Sequence, residues 1–147
     1  MEKDTKEYLV QEIECAEPVR LVELLYQRAL RDLECAREMW PDKARHKEAI
    51  RLAVHAQMIL KELYNAVNLK EGGELAANLV RLYEFMQFQL MEATGGQDQQ
   101  AARKISDVIC LLQPLIAAWS TITRKHLYSH NASLAQSSGL AACYSPY

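Results

Sequence analysis

Two glycine pairs, Gly72-Gly73 and Gly95-Gly96, bracket the run ELAANLVRLYEFMQFQLMEAT, and this stretch most restricts how the chain can fold. Glycine gives permissive backbone where helices end, so each pair marks a boundary. Between the pairs, Leu75, Leu79, Leu82, Tyr83, Met86 and Leu90 recur at helical spacing, and Phe85 and Phe88 lie off that stripe. A helix apolar over most of its surface packs one face into a core and has apolar side chains left to offer a partner. Glu74 suits the positive end of the helix dipole.

Similar punctuation divides the rest of the chain. Pro18 fits a first helical turn, where its missing N–H would have no partner anyway. Val22, Leu25, Tyr26, Ala29, Leu33 and Ala36 then follow a helical period, and Trp40-Pro41-Asp42 stops it. A second helix is expected from about Lys43 to Asn68, with Ile50, Ala53, Val54, Met58, Leu60, Leu63, Tyr64 and Val67 as apolar members. They cover more than one stripe. Asp98 is the candidate N-cap of a fourth helix carrying Ile105, Val108, Ile109, Leu112, Leu115, Ile116, Trp119 and Ile122. Pro114 lies inside that pattern, removes one backbone bond to the carbonyl of Cys110 and is expected to kink the helix.

Four long helices with short connections predict an all-α fold, an antiparallel up-and-down four-helix bundle. Residues 1–14 add a short N-terminal helical segment, weakly amphipathic and marginal alone in water. Residues 15–128 form the bundle. Residues 129–147 hold no Asp, Glu, Lys or Arg and are expected to be a mobile tail.

At 147 residues the chain suits one domain with a real core. A net charge of −2 and the lack of a polybasic arm argue against nucleic-acid binding. The charged N-terminus lacks the apolar core of a secretory signal, and the apolar stretch from Val108 to Trp119 is too short to span a bilayer. A cytoplasmic protein is the expectation. Cys15, Cys35, Cys110 and Cys143 show no C-x-x-C pairing, so a disulfide framework is not expected, and Cys35 and Cys110 read as buried free thiols.

Chemistry-bearing patterns are sparse. Di-iron bundles need Glu-x-x-His, which does not occur. His126 and His130 share a helix face, but with no carboxylate or Cys neighbour they read as two solvated histidines. No G-x-S-x-G, Walker loop or G-x-G-x-x-G is present. No catalytic residue, metal ligand or cofactor is assigned. A thiol or metal enzyme, with a Cys–His pair formed across helices, is the weakest reading.

Apolar surplus is the stronger signal. Met58, Tyr64, Tyr83, Phe85 and Phe88 cannot all face one bundle axis. They either bury against the N-terminal segment or a second copy, or they line an exposed groove for a partner helix. Spacing alone leaves these readings even.

Particular residues carry a family likeness. Tyr8, Ile13, Ala16, Pro18, Leu21, Val22, Leu25, Tyr26 and Ala29 stand in the order and spacing of the N-terminal signature of the FliS family, the flagellin-specific export chaperones of bacterial flagellar assembly. Leu69, Gly72, Gly73, Glu74, Leu75, Ala76, Asn78, Leu79, Leu82, Tyr83, Phe85 and Met86 resemble its middle signature, and Leu111, Leu112 and Trp119 its last helix. The likeness spans about residues 8 to 125. Arg28, Glu17, Pro114 and the uncharged tail depart from the family pattern.

The resemblance implies a cytoplasmic, non-catalytic chaperone that binds the disordered C-terminal segment of flagellin. It would prevent premature polymerisation and help deliver flagellin to a component of the flagellar export gate. The expected contact residues are Val54, Met58, Tyr64, Leu79, Tyr83 and Phe88, chosen as surplus apolar positions. Tyr8 and Ile13 are expected on a lid that competes for the same groove. The alternative is a structural helical protein using this surface for homodimerisation.

Overall fold

The computed structural model describes the backbone of residues 18–96 and 99–128, with side chains over 20–96 and 99–121. Four helices follow in order: α1 Pro18–Met39, α2 His46–Asn65, α3 Leu69–Thr94 and α4 Ala101–Tyr128. No strand occurs among the described residues. Each helix packs on the next, and α4 closes the ring on α1. Connections this short force neighbours to run antiparallel. Pairing shows it directly: Trp40 meets His46, and Asp32, a little over two turns earlier in α1, meets His55. The all-α four-helix bundle is the observed fold. The expectations for residues 1–17, for an Asp98 cap and for residues 129–147 fall outside the described residues.

The interior follows the helical periods. Tyr26, Leu33, Leu60, Leu63, Tyr83, Met86, Leu90, Ile105, Ile109, Leu112 and Trp119 are its large, fully buried side chains. Buried Leu or Ile contributes about 1.5–3 kcal/mol each relative to exposure. Ala29 and Ala36 on α1 and Ala49, Ala53 and Ala56 on α2 are buried too. Small residues on both facing stripes leave room for close approach of the two helices.

Three boundaries differ from expectation, each for a local reason. α2 begins at His46 rather than Lys43 because Asp42 closes a turn. Its carboxylate accepts from the Ala44 N–H at 3.0 Å, and its carbonyl accepts from the Arg45 N–H at 3.1 Å. α2 ends at Asn65 rather than Asn68 because Asn68 serves the next helix, accepting the Glu71 N–H on Oδ1 at 3.1 Å. α3 therefore opens at Leu69, ahead of the glycine pair. It is interrupted at Gly73, whose φ of 56° and ψ of −132° suit only a residue without a β-carbon. Pro114 lies on the exposed side of α4 and does not end the helix, which runs on to Tyr128.

α1 buries one carboxylate towards each neighbour. Asp32 faces α2, paired with Arg28 Nε at 3.3 Å and with His55 Nδ1. Glu23 faces α4, accepting from Ser120 Oγ at 3.1 Å and Gln27 Nε2 at 3.2 Å and pairing with Arg20 at 3.1 Å. A buried carboxylate is costly unless answered in this way, so both pairs favour one register of α1 against its neighbours.

Candidate partner-binding surface

A flank along the seam between α2 and α3 carries exposed apolar side chains. On α2, Val54 and Met58 stand four residues apart and are 39% and 60% exposed. On α3, Glu84 accepts a hydrogen bond from Tyr64 of α2 at 3.2 Å, and Gln87 lines a depression shared with α2. Both therefore lie on the flank of α3 turned to α2. Phe88 follows Glu84 by four residues and Met91 follows Gln87 by four, so helical geometry puts them on the same flank. They are 50% and 53% exposed. The depression has a volume of about 270 Å³ and is lined by Val54, Gln57, Met58, Lys61 and Gln87.

Tyr64 is half-buried against the core. The Glu84 carboxylate that holds its hydroxyl pushes the phenol above its ordinary pKa. Leu79 and Tyr83 lie inside. Both belong to the main stripe of α3, which turns to the bundle axis, and in this conformation they are core residues. Val54 and Met58 thus share a depression on this seam, Tyr64 bonds Glu84 across it, Phe88 is exposed on α3, and Leu79 and Tyr83 lie in the core. Tyr8 and Ile13 lie outside the described residues.

Met91 and Gln87 were missed by sequence reasoning. Met91 carries a readable signal, since it stands three residues from Phe88 on the same face. Gln87 carries none, because a polar residue on an amphipathic helix reads as solvated. Phe85, 49% exposed, and Leu75, 41% exposed, also stay outside the core. A second depression of about 500 Å³ runs along α1 beside Arg20, Leu24, Arg28, Leu30 and Arg31. Two of those arginines already pair with Glu23 and Asp32.

Cys110 is exposed and Cys35 only half-buried, so neither is the fully buried thiol expected. Cys110 follows buried Ile109, and one residue turns a helix by about 100°, away from the core. Among the described residues no group of three His, Cys, Asp or Glu could hold a metal ion. No helix among them is long and apolar enough to cross a membrane.

The profile of the family "Flagellar protein FliS" matches residues 1–126. The chain is 35% identical over 108 residues to the flagellar secretion chaperone FliSB of Pseudomonas aeruginosa, covering 74% of this chain and 82% of that protein. It is 33% identical over 112 residues to the flagellar secretion chaperone FliS of Salmonella typhimurium, covering 75% and 79%. The match to FliS of Vibrio cholerae is 31% over 78 residues and spans about half of each chain, 53%.

Proposed function

This chain belongs to the FliS family of flagellar secretion chaperones, a non-catalytic family, and from that premise we propose that its client is the disordered C-terminal segment of flagellin. The segment is held in the cytoplasm, kept from polymerising early and handed to a component of the export gate. The observation that carries this reading is the α2–α3 flank: Val54, Met58, Phe88 and Met91 are exposed apolar residues on two adjacent helices.

The energetics require a long surface. Ordering each residue of a disordered segment costs about 1–2 kcal/mol. Burying apolar surface returns about 25 cal/mol per Å². Each ordered residue must therefore bury about 40–80 Å². One small depression cannot meet that requirement over several turns of helix, whereas a continuous flank along two helices can. Methionine suits such a surface because its flexible thioether adapts to different partner side chains. Tyr8 and Ile13 enter the proposal as competitors for this flank. A fraction of protein covered by its own segment lowers apparent affinity in proportion.

Calorimetric titration of the full chain with the flagellin C-terminal segment tests the proposal. Saturable heat at micromolar concentration supports it, and no heat together with no mobility shift at that concentration removes it. Removing residues 1–14 tightens binding if Tyr8 and Ile13 compete. Sedimentation without flagellin tests the homodimer reading: a monomer at high concentration leaves the flank free for a client.

A further inference from the structure

Two features of this chain answer each other. The α2–α3 flank leaves Val54, Met58, Phe88 and Met91 exposed, and apolar surface of that kind marks a site that something covers. Residues 129–147 hold no Asp, Glu, Lys or Arg, yet they include Leu134, Leu140, Tyr144 and Tyr147. Segments that stay solvated as free coils are rich in charge and poor in aromatic residues, and this composition is the reverse. Residues 1–14 differ, with charged side chains at half of their positions.

The topology delivers residues 129–147 close to the flank. Near one end of the bundle Lys104 of α4 pairs with Glu92 of α3, and towards the other Ser120 of α4 bonds Glu23 of α1. Tyr128 ends α4 about 12 Å beyond Ser120, at the end of the bundle where α3 begins. From the first turn of α3 past Gly73, Phe88 lies about 20 Å along the axis, and passing round α3 adds about 10 Å. Residues 129–139 contain four serines and a glycine, which suits a flexible tether. Fully extended, they span about 36–40 Å, enough to carry Leu140 to Phe88 and Met58.

We propose that residues 140–147 dock on the α2–α3 flank of their own chain and cover it until a client displaces them, with Leu140, Tyr144 and Tyr147 as the contacts. The docking stands on this flank and this segment; its consequence for flagellin rests on the client-binding reading above. No charge is desolvated when the segment docks, and tyrosine buries an apolar ring while its hydroxyl stays in water. A short flexible tether holds such a plug at an effective concentration of about 1 mM. A contact of about 0.1–1 mM strength then covers the flank in about half to nine-tenths of molecules and weakens apparent client affinity about two- to tenfold. This competitor is separate from Tyr8 and Ile13.

Methionine-methyl NMR of the full chain, without flagellin, tests the docking. The comparison is with a chain ending at Tyr128 and with a full-length Leu140→Asp, Tyr144→Asp variant, which keeps the test decisive if the shortened chain does not fold. The exposed Met58 and Met91 methyl signals should move in the same direction in both, while the signal of buried Met86 stays in place. Calorimetry with the flagellin C-terminal segment should then show the double variant binding about two- to tenfold more tightly than wild type. Unchanged Met58 and Met91 signals in the double variant overturn the docking. Differences that vanish on dilution also overturn it, because they place the segment on a second copy. Methyl shifts with unchanged flagellin affinity overturn the competition. Methyl shifts with no flagellin binding by any form leave the docking in place and remove the client reading instead.

Discussion

The hydroxyls of Tyr26 on α1 and Tyr83 on α3 hydrogen-bond to each other across the diagonal of the bundle. Their rings lie 6.5 Å apart, and Trp119 of α4 meets Tyr26 edge-on at 6.3 Å. Three of the four helices therefore converge on one buried aromatic cluster. Replacing Tyr26 or Tyr83 by Phe should each lower stability by about 0.5–1.5 kcal/mol, the usual net worth of such a bond. Because both changes remove the same bond, the double variant should lose less than the sum of the two. Urea denaturation of the full cycle checks this, and strict additivity would contradict it.

The two glycines of the Gly72-Gly73 pair are not equivalent. Only Gly73 has a positive φ, and a β-carbon there would meet no atom within 4 Å, so the penalty for a side chain is one of backbone conformation. Gly73→Ala should destabilise by about 1–3 kcal/mol. Gly72→Ala should stay within about 1 kcal/mol of wild type, because its backbone is helical and its N–H already bonds the Asn68 carbonyl. Thermal melts of the two variants decide the matter.

Binding and stability should separate by residue. Phe88→Asp and Met58→Asp alter exposed positions and should change the melting temperature little while weakening flagellin binding by about tenfold or more. Leu79→Ala alters a buried position and should cost about 2–5 kcal/mol of stability. Equal loss of stability in all three would contradict this placement.

Asp42 links pH to the α1–α2 connection. The Arg45 guanidinium and the Ala44 N–H that bond its carboxylate hold its pKa below the ordinary value. A carboxylate with a depressed folded pKa contributes stability that is fully present above the unfolded pKa. It is lost as pH falls through the folded one, so the window lies on the acid side of the usual carboxylate range. A carboxyl titration followed by NMR should place the Asp42 midpoint below that of a free aspartate. Arg45→Ala should raise it.

The thiols should react unequally. Cys110 is exposed and Cys35 half-buried, so alkylation of the native protein should modify Cys110 before Cys35. Mass spectrometry of a timed reaction reads the order, and faster labelling of Cys35 would contradict it.

Local signals were legible wherever the cause is local. Pro18 opens α1 and Pro41 follows its end, because proline restricts its own φ and the conformation of the residue before it. The turn made by Asp42 and the cap made by Asn68 were not legible. Each residue could equally have sat within a helix end, and only the hydrogen bond it found decided its role.

The helical period by itself determined that this chain makes four amphipathic helices with more apolar residues than one axis can take. That pattern depends on neighbours three and four positions apart, which the sequence displays. Only the tertiary structure decided which of those residues go inside. Tyr83 and Phe88 sit on one helix and are both aromatic, yet Tyr83 is buried beside Tyr26 and Phe88 stays half exposed on the α2–α3 flank. The choice rests on how far α3 is rotated about its axis. The partners that set this rotation, Tyr26 and Tyr64, lie 57 and 20 residues from their α3 contacts at Tyr83 and Glu84.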